Sequence, residues 1–166
     1  MSLPSAQIQA VRVKIDRKII EQIKSRAVRA SNELRNASQL VLRGSRGGRS
    51  YIVPGTGRLT YNKRNHTAKI SYKRYTASAP GQPPAVRTGA FRAGWQREVE
   101  IIADFPTYAS VKSYIKNEIR VSNGALLGEY LEEGTPGGKM APRPHHQKIQ
   151  NKAKSSILNI YREPYF

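Results

Sequence analysis

The residues of this sequence that could bind a metal ion are its 3 histidines, because the chain contains no cysteine. His145 and His146 are adjacent, and adjacent side chains on a helix point about 100° apart. The positions four residues further on, Ile149 and Gln150, supply neither a histidine nor a carboxylate to complete a site. His66 lies far from the other two in the chain. The sequence therefore predicts no metal site and no cofactor.

Carboxylates that could act in acid–base catalysis are clustered at Glu129, Glu132 and Glu133. In a chain with a formal net charge of +18, they are better interpreted as an acidic patch for pairing with another subunit, or as a solvated helix end. The sequence contains no G-x-S-x-G motif and no phosphate-binding motif of the G-x-x-x-x-G-K-[ST] or G-x-G-x-x-G type. We therefore predict no catalytic residue and expect the chain not to be an enzyme.

The strongest chemical signal is the stretch between residues 34 and 97, which contains no Asp or Glu although the whole chain has 11. Arginine and lysine bind backbone phosphates without reading base sequence, and the stretch has no recognition helix or zinc finger. The predicted contacts to DNA in a lumen, or to a neighbouring subunit, are Arg43, Arg46, Arg49, Arg58, Lys63, Arg64, Lys69, Lys73 and Arg74. The tyrosines interleaved with them are Tyr51, Tyr61, Tyr72 and Tyr75. A solvated, flexible surface loop is the alternative interpretation.

The elements that position these residues begin with a predicted strand and a long predicted helix. Residues 7–15 alternate between apolar and polar or basic side chains, which predicts a half-buried strand. Asp16 would then cap a helix that ends before Gly44. Its apolar residues recur every three or four positions: Ile19, Ile23, Ala27, Ala30, Leu34, Ala37 and Val41. This face is predicted to pack on a sheet, and packing of part of it on a neighbouring subunit remains open.

Residues 44–87 are predicted to form a basic, Gly/Pro-rich arm inserted within a single domain of residues 1–166. Within the arm, residues 58–61 and 69–73 have β-type content and could pair as a hairpin across residues 62–66.

The remainder of the chain predicts a meander followed by two helices. Strands are expected from Trp95 to Ile101, over residues 108–115 and over residues 118–122, with a turn at residues 104–107. A short helix over residues 125–133 and a terminal helix follow, the latter with an apolar face of Ile149, Ala153, Ile157 and Ile160. The fold class is therefore α+β, an antiparallel sheet packed by a long N-terminal helix and a C-terminal helix.

Two stretches resemble a known protein family. Residues 78–92 read SAPGQPPAVRTGAFR, and residues 130–135 (YLEEGT) are followed by MAPRP at residues 140–144. Their order and separation, after a long N-terminal helix, resemble the tail-completion or neck proteins of long-tailed bacteriophages, also called head–tail joining or minor tail proteins. The chain departs from the family pattern at His145 and His146, where an aromatic residue is usual.

The resemblance implies a non-enzymatic virion protein that forms a homo-oligomeric ring at the head–tail junction, through which DNA passes. Its partners would be further copies of itself in a sixfold or possibly twelvefold ring, head-closure or connector proteins, tail-terminator or tail-tube proteins, and phage DNA bound non-specifically. The motif residues would have structural roles: Pro80, Gly81, Pro83, Pro84, Thr88, Gly89, Tyr130, Glu132, Gly134, Thr135, Pro142, Arg143 and Pro144.

The alternative function is a free, non-specific nucleic-acid-binding protein of the ribosomal or nucleoid kind.

Residues 1–6 lack the basic and apolar regions of a signal peptide. No apolar run approaches the roughly 18 residues of a membrane span. We therefore expect a soluble cytoplasmic product without membrane association. The resemblance implies synthesis in the cytoplasm of a host bacterium and a final location in the virion.

Overall fold

A computed structural model describes residues 5–85, 89–104 and 108–165. It confirms a mixed α+β fold, with a long N-terminal helix, a C-terminal helix and small antiparallel sheets. The elements in chain order are α1 (Ser5–Arg43), β1 (Ser50–Ile52), β2 (Arg58–Asn62), β3 (Thr67–Ser71), β4 (Arg74–Thr76), α2 (Ala90–Ala93), β5 (Trp95–Asp104), β6 (Tyr108–Asn117), α3 (Leu127–Glu133) and α4 (His146–Arg162). Thr88 and the predicted turn residues 105–107 lie outside the described residues. That residues 44–87 form a basic arm inserted within the domain remains a prediction.

α1 begins much earlier than the sequence predicted. The strand predicted over residues 7–15 is wrong, because α1 is continuous over 39 residues and Asp16 lies inside it rather than at its N-cap. The apolar residues of this segment also follow a helical spacing: Ile8, Val11, Ile15 and Ile19. Extending a helix needs no new nucleus, since each added residue gains a hydrogen bond at once. The result is a helix roughly 60 Å long.

The predicted apolar face of α1 is buried in the C-terminal half of the helix. Ala27, Ala30 and Ala37 are buried, and the larger predicted residues are half-buried. The periodicity missed two serines on this face, Ser31 and Ser38, which are fully buried. The Ser31 hydroxyl donates to the Val28 carbonyl at 2.9 Å, so the backbone of α1 itself satisfies this buried polar group.

The strands form three two-stranded sheets, β1 with β4, β2 with β3, and β5 with β6. The predicted hairpin is confirmed by β2 and β3, and the first two strands of the meander by β5 and β6. The prediction of a third strand over residues 118–122 is wrong. Its backbone bonds instead to the start of α3, with Leu127 N–H donating to the Ile119 carbonyl and Val121 N–H to the Ala125 carbonyl. Gly124, at φ 83°, makes that tight reversal possible.

The two C-terminal helices are confirmed. α3 ends at Glu133, before Gly134, and α4 begins after Pro144. On α4 the predicted residues Ile149, Ala153 and Ile160 are buried. Among the described residues, no helix combines the length and the apolar content that a bilayer crossing requires.

Contacts within the chain define two compact units. The first comprises residues 1–37, 95–116 and 150–166. Here the Ser113 hydroxyl donates to the Ala27 carbonyl at 3.0 Å, which joins β6 to α1. Arg35 Nε donates to the Trp95 carbonyl at 3.2 Å, which joins α1 to β5.

The second unit comprises residues 38–94 and 117–149, and it contains both sequence motifs and the hairpin. Its buried residues include Leu42, His145 and Ile149. Side-chain amides tie its segments together. Gln39 donates to the Arg92 carbonyl at 2.6 Å, and Asn117 donates to the Phe91 carbonyl at 2.7 Å.

Candidate nucleic-acid and subunit interface

The centre of the basic stretch is a regular antiparallel hairpin of β2 and β3. The side-chain oxygen of Asn62 accepts a hydrogen bond from the Arg64 N–H at 3.0 Å, which fixes the turn at the tip. His66 completes the turn in the left-handed region at φ 48°, and its Nδ1 lies 3.1 Å from the Tyr61 hydroxyl. The tip therefore has a defined conformation.

The hairpin has two chemically different faces, because directly opposed residues of an antiparallel pair share a face and successive residues alternate. One face is mainly apolar, with Leu59 opposite Ile70 and Tyr61 opposite Ala68. The other is polar and basic, with Arg58 opposite Ser71 and Thr60 opposite Lys69. Every residue of both strands is exposed, including Leu59 at 66% and Ile70 at 54%. Both faces are therefore accessible.

The cations of the hairpin and its flanks are exposed, and in the part of the chain that the structure describes they belong to no ion pair. They are Arg58, Lys63, Arg64, Lys69, Lys73 and Arg74. Arg43, at the end of α1, and Arg49, before β1, are also exposed. Their charge is left to water, counterions or an acidic partner.

Two carboxylates of the first unit, Glu98 and Glu100, pair with lysines of their own sheet, β5 with β6. Lys112 and Lys116 of β6 form ion pairs with Glu100 and Glu98 of β5. The hydrogen bond from Lys116 holds the pKa of Glu98 below its ordinary value, and a hydrogen bond from Tyr114 acts in the same direction. These acids are thus already paired within their own sheet.

Arg46 differs from the other predicted contact residues because it is half-buried and bonded to backbone. Its guanidinium donates to the Val41 carbonyl at 3.0 Å, to the Gly44 carbonyl at 2.7 Å and to the Pro84 carbonyl at 3.1 and 3.2 Å. Burial lowers the pKa of Arg46 from its ordinary value. This arginine satisfies carbonyls at the end of α1 and ties them to the first motif.

The tyrosines divide into two groups. Tyr51 and Tyr75 face each other across β1 and β4 and stack with their ring centroids 5.8 Å apart. Tyr61 and Tyr72 are exposed at 57% and 48%, and Tyr51, although stacked, is exposed at 47%. The hairpin region therefore offers aromatic as well as aliphatic surface to a partner.

The first motif folds into a tight turn. The Gln82 N–H donates to the Ala79 carbonyl at 3.1 Å, and Gly81 has a φ of 74°, a conformation that favours glycine after Pro80 in a type II turn. The Gln82 side-chain oxygen accepts from the Gly47 N–H at 2.9 Å. The motif thereby anchors the segment that leads into the hairpin.

The second motif closes the connection between α3 and α4. Gly134, at φ 89°, ends α3, and a Cβ there would lie 2.6 Å from the Met140 carbonyl oxygen. Thr135 holds the loop closed, because its hydroxyl accepts from the Met140 N–H at 2.9 Å. The Arg143 N–H donates to the Leu131 carbonyl at 2.8 Å, which directs the chain back along α3.

The two motifs are separated by 37 residues of sequence (residues 93–129) but bond directly to each other. The Gly81 N–H donates to the Pro142 carbonyl at 3.3 Å, and Lys148 Nζ donates to the Gly81 carbonyl at 2.7 Å. Pro84, at the end of the first turn, is buried. The described residues of the two motifs are thus bonded to each other within the second unit, and Gln82 ties the first motif to Gly47, ahead of β1. Lys148 was not predicted to take part, since its partner is a backbone oxygen.

Glu132 of the second motif caps α4. Its Oε2 accepts from the His145 N–H at 2.9 Å and from the His146 N–H at 3.3 Å. The same oxygen lies 2.7 Å from Nδ1 of His145, a buried ring that packs edge-on against Phe91. Burial lowers the pKa of His145, although a hydrogen bond to the Arg143 carbonyl and the charge of Glu132 oppose the shift.

This cluster also places three potential metal ligands, from Glu132, His145 and His146, within 4.8 Å of one another. Sequence reasoning missed the cluster because Glu132 lies on a different helix from the histidines. Nδ1 of His145 lies 3.1 Å from the Arg143 carbonyl, so that nitrogen carries a proton when it bonds there and has no lone pair for a metal. The contacts are those of a helix cap.

The second unit also contains a mainly apolar cavity of about 580 Å³. Its lining includes Leu42, Phe91, Ile119, Leu127 and Leu131. α3 supplies the two last leucines to the cavity, while its exposed residues include Glu129 and Glu133. These two carboxylates form no ion pair with any residue that the structure describes.

Comparisons of the chain with models of protein families, with curated proteins and with solved structures give no match. An exposed basic face can bind phosphate oxygens without base specificity, and a contiguous exposed apolar face is typical of a surface that associates with a partner.

Proposed function

We propose that the chain is a structural subunit of the phage neck or tail-completion type, which forms a ring at the head–tail junction through which DNA passes. In this assembly the subunit acts as a scaffold and not as an enzyme. Its neighbours are further copies of itself, the head-closure or connector proteins, and tail-terminator or tail-tube proteins.

The observation that carries the proposal is the uncompensated charge of the hairpin. Its cations are exposed, and no described carboxylate pairs with them. Non-specific contact with a passing duplex requires cations that reach phosphates without reading bases. The chain presents them on a hairpin whose turn is fixed by Asn62 and whose root is anchored by the first motif.

The contact between the motifs is a second support. In the resemblance, residues 78–92 and 130–144 have structural roles, and here they bond to each other through Gly81 and Pro142. The first motif also holds Gly47, at the approach to β1, through the Gln82 side chain. In a closed ring, two different surfaces of each subunit must fit the neighbouring subunits, and a fixed arrangement of the segments that carry those surfaces favours this fit.

The test measures assembly and DNA binding with the same purified chain. Native mass spectrometry and negative-stain imaging should find a closed homo-oligomer of six or twelve copies, with weak DNA binding by the monomer and tighter binding on assembly. A chain that stays monomeric and binds duplex DNA tightly would contradict the proposal and favour the free nucleic-acid-binding protein.

A charge-removal variant tests which cations face DNA. In the assembled protein, Lys63→Gln, Arg64→Gln and Lys69→Gln together should weaken binding to short duplex DNA. They should also reduce the slope of log affinity against log salt by about 0.9 for each phosphate that the protein no longer neutralises.

The matched control removes the same charge elsewhere, at the exposed residues Lys139, Lys152 and Lys154, each replaced by Gln. Fluorescence anisotropy across a salt series provides the readout. Equally weakened binding in the two triple variants would show that only net charge matters. The proposal that the hairpin contacts DNA would then be wrong.

A further inference from the structure

The cavity of the second unit is lined by arginines as well as by apolar side chains. Arg92 and Arg143 both belong to its lining, and no Asp or Glu is among the described residues around it. Arg92 is the last residue of the first motif, and Arg143 lies within the second. Each motif therefore contributes one cation to the same cavity.

These two arginines are not neutralised within the part of the chain that the structure describes. Both are half-buried, and neither guanidinium group has a described carboxylate or carbonyl partner. The half-buried Arg46, by contrast, donates to the carbonyls of Val41, Gly44 and Pro84. A charge that is partly withdrawn from water is costly unless an opposite charge accompanies it. The cavity is therefore suited to an anion.

The rest of the lining is suited to an apolar group. The large apolar lining residues that remain half-buried are Phe91, Ile119, Leu127 and Leu131. The cavity volume of about 580 Å³ lies within the range of roughly 300–1,000 Å³ that is usual for small-molecule sites. Such sites combine apolar and aromatic walls with a few charged groups that orient the ligand.

Hydrogen bonds fix the backbone that carries the two arginines. The Gln39 side chain donates to the Arg92 carbonyl at 2.6 Å, which ties α2 to α1. The Arg143 N–H donates to the Leu131 carbonyl at 2.8 Å, which ties the segment before α4 to α3. Since both segments are held before any ligand arrives, binding requires little further ordering of the backbone.

DNA is not a suitable occupant of this cavity. A duplex cannot enter a space of this volume, and a phosphate backbone offers no apolar group to cover Phe91 or the leucines of α3. The site is therefore chemically distinct from the basic hairpin, although both are positively charged.

We propose that the cavity binds a small amphipathic acid, a molecule with an aliphatic or aromatic body and one carboxylate group. The body packs on Phe91, Leu127 and Leu131, and the carboxylate pairs with Arg92 and Arg143. A guanidinium group suits a carboxylate because its parallel N–H groups can donate to both oxygens. The inference goes beyond the proposed function, since neither ring assembly nor DNA binding requires such a ligand.

Isothermal titration calorimetry with three probes of equal chain length separates charge from apolar contact. The probes are decanoate, decanol and decylammonium, each used below the concentration at which it forms micelles. Decanoate should bind at least about tenfold more tightly than the other two, an effect within reach of one charge-assisted hydrogen bond. Absence of decanoate binding, or equal affinities for decanoate and decanol, would overturn the inference.

A matched control is needed because a chain with a net charge of +18 attracts any anion. Arg92→Gln with Arg143→Gln should weaken decanoate binding at least about tenfold and leave decanol binding unchanged. Replacement of both arginines by lysine retains the charge and should restore most of the decanoate affinity. The control Lys152→Gln with Lys154→Gln removes two exposed charges outside the cavity and should leave decanoate binding unchanged. Equal losses in the two glutamine double variants would overturn the inference.

Photolabelling of the unmodified chain locates the bound molecule without any substitution. A decanoate analogue with a diazirine on its chain is bound and irradiated, and mass spectrometry of the proteolytic peptides then finds the label. The label should lie mainly in residues 117–133, which include Ile119, Leu127 and Leu131. Labelling mainly in residues 57–72 would overturn the inference, because the exposed apolar face of the hairpin would then be the binding surface.

Discussion

At the scale of single residues, the role of a charged side chain depends on the oxygens within its reach. Arg46 has the carbonyl oxygens of Val41, Gly44 and Pro84 within hydrogen-bond distance and is held in place. Lys63 and Arg64, 17 and 18 residues further along the chain, have no described side-chain partner. The sequence shows all three as cations in one basic stretch, and only the fold distinguishes the structural arginine from the free charges.

His145 belongs to the same scale and predicts a pH dependence of stability. Its pKa is lowered from 6.5 by burial, so the folded chain binds this proton less readily than the unfolded chain. The free energy of unfolding should therefore fall as the pH drops below about 6.5, with a slope of at most about 1.4 kcal/mol per pH unit for one proton. Urea denaturation at a series of pH values measures it.

The variant His145→Gln should flatten that slope, because glutamine does not titrate, even though it also loses the packing on Phe91. Its matched control is His146→Gln at the exposed neighbouring residue, which should retain the slope of the unmodified chain. The groups that face His145 are Glu132, the Arg143 carbonyl and His146. If His145→Gln leaves the slope unchanged, the pH dependence arises elsewhere.

At the scale of elements, local patterns predicted most of the helices and strands but not their limits. The hairpin, β5, β6 and the two C-terminal helices were each recognisable from periodicity and turn residues. The first strand was misassigned because a short alternating segment is also compatible with a helix, and continuity with α1 decided between them. The third strand was misassigned because residues 118–122 bond to the start of α3.

The loop between α3 and α4 gives a prediction at this scale. Gly134→Ala should destabilise the chain by roughly 3 kcal/mol, because the residue combines a left-handed φ with a backbone oxygen 2.6 Å from the new Cβ. Gly137→Ala has a similar φ of 82° but open space around its Cβ, and should cost only about 1 kcal/mol. Thermal unfolding of both variants provides the comparison. Equal costs would mean that the loop moves to relieve the close contact.

At the scale of the whole molecule, the net charge of +18 opposes compaction. The ion pairs of the described residues lie mainly in the first unit, on β5–β6 and between Arg29 and Glu163. The hairpin of the second unit retains its positive charge. Salt and polyanions should therefore stabilise the folded chain as a whole, although they weaken individual surface ion pairs.

This charge balance predicts that the midpoint of urea unfolding rises with sodium chloride between low and near-molar concentrations. The triple variant of Lys63, Arg64 and Lys69 to Gln should gain less from salt, since three of the repelling charges are gone. Its control is again the triple variant at Lys139, Lys152 and Lys154. A midpoint that falls with salt would show that ion pairs outweigh repulsion in the folded state.

The sequence by itself determined the α+β class, the hairpin, the buried face of the long helix and the absence of acids from the basic stretch, because these depend on spacing and composition along a short length of chain. The tertiary structure decided which residues from distant segments meet. It joined the two motifs through Gly81 and Pro142, placed Glu132 on the N-terminus of α4, and bonded Arg46 to backbone. These contacts depend on hydrogen bonds between groups brought together only by folding, and no local period encodes them.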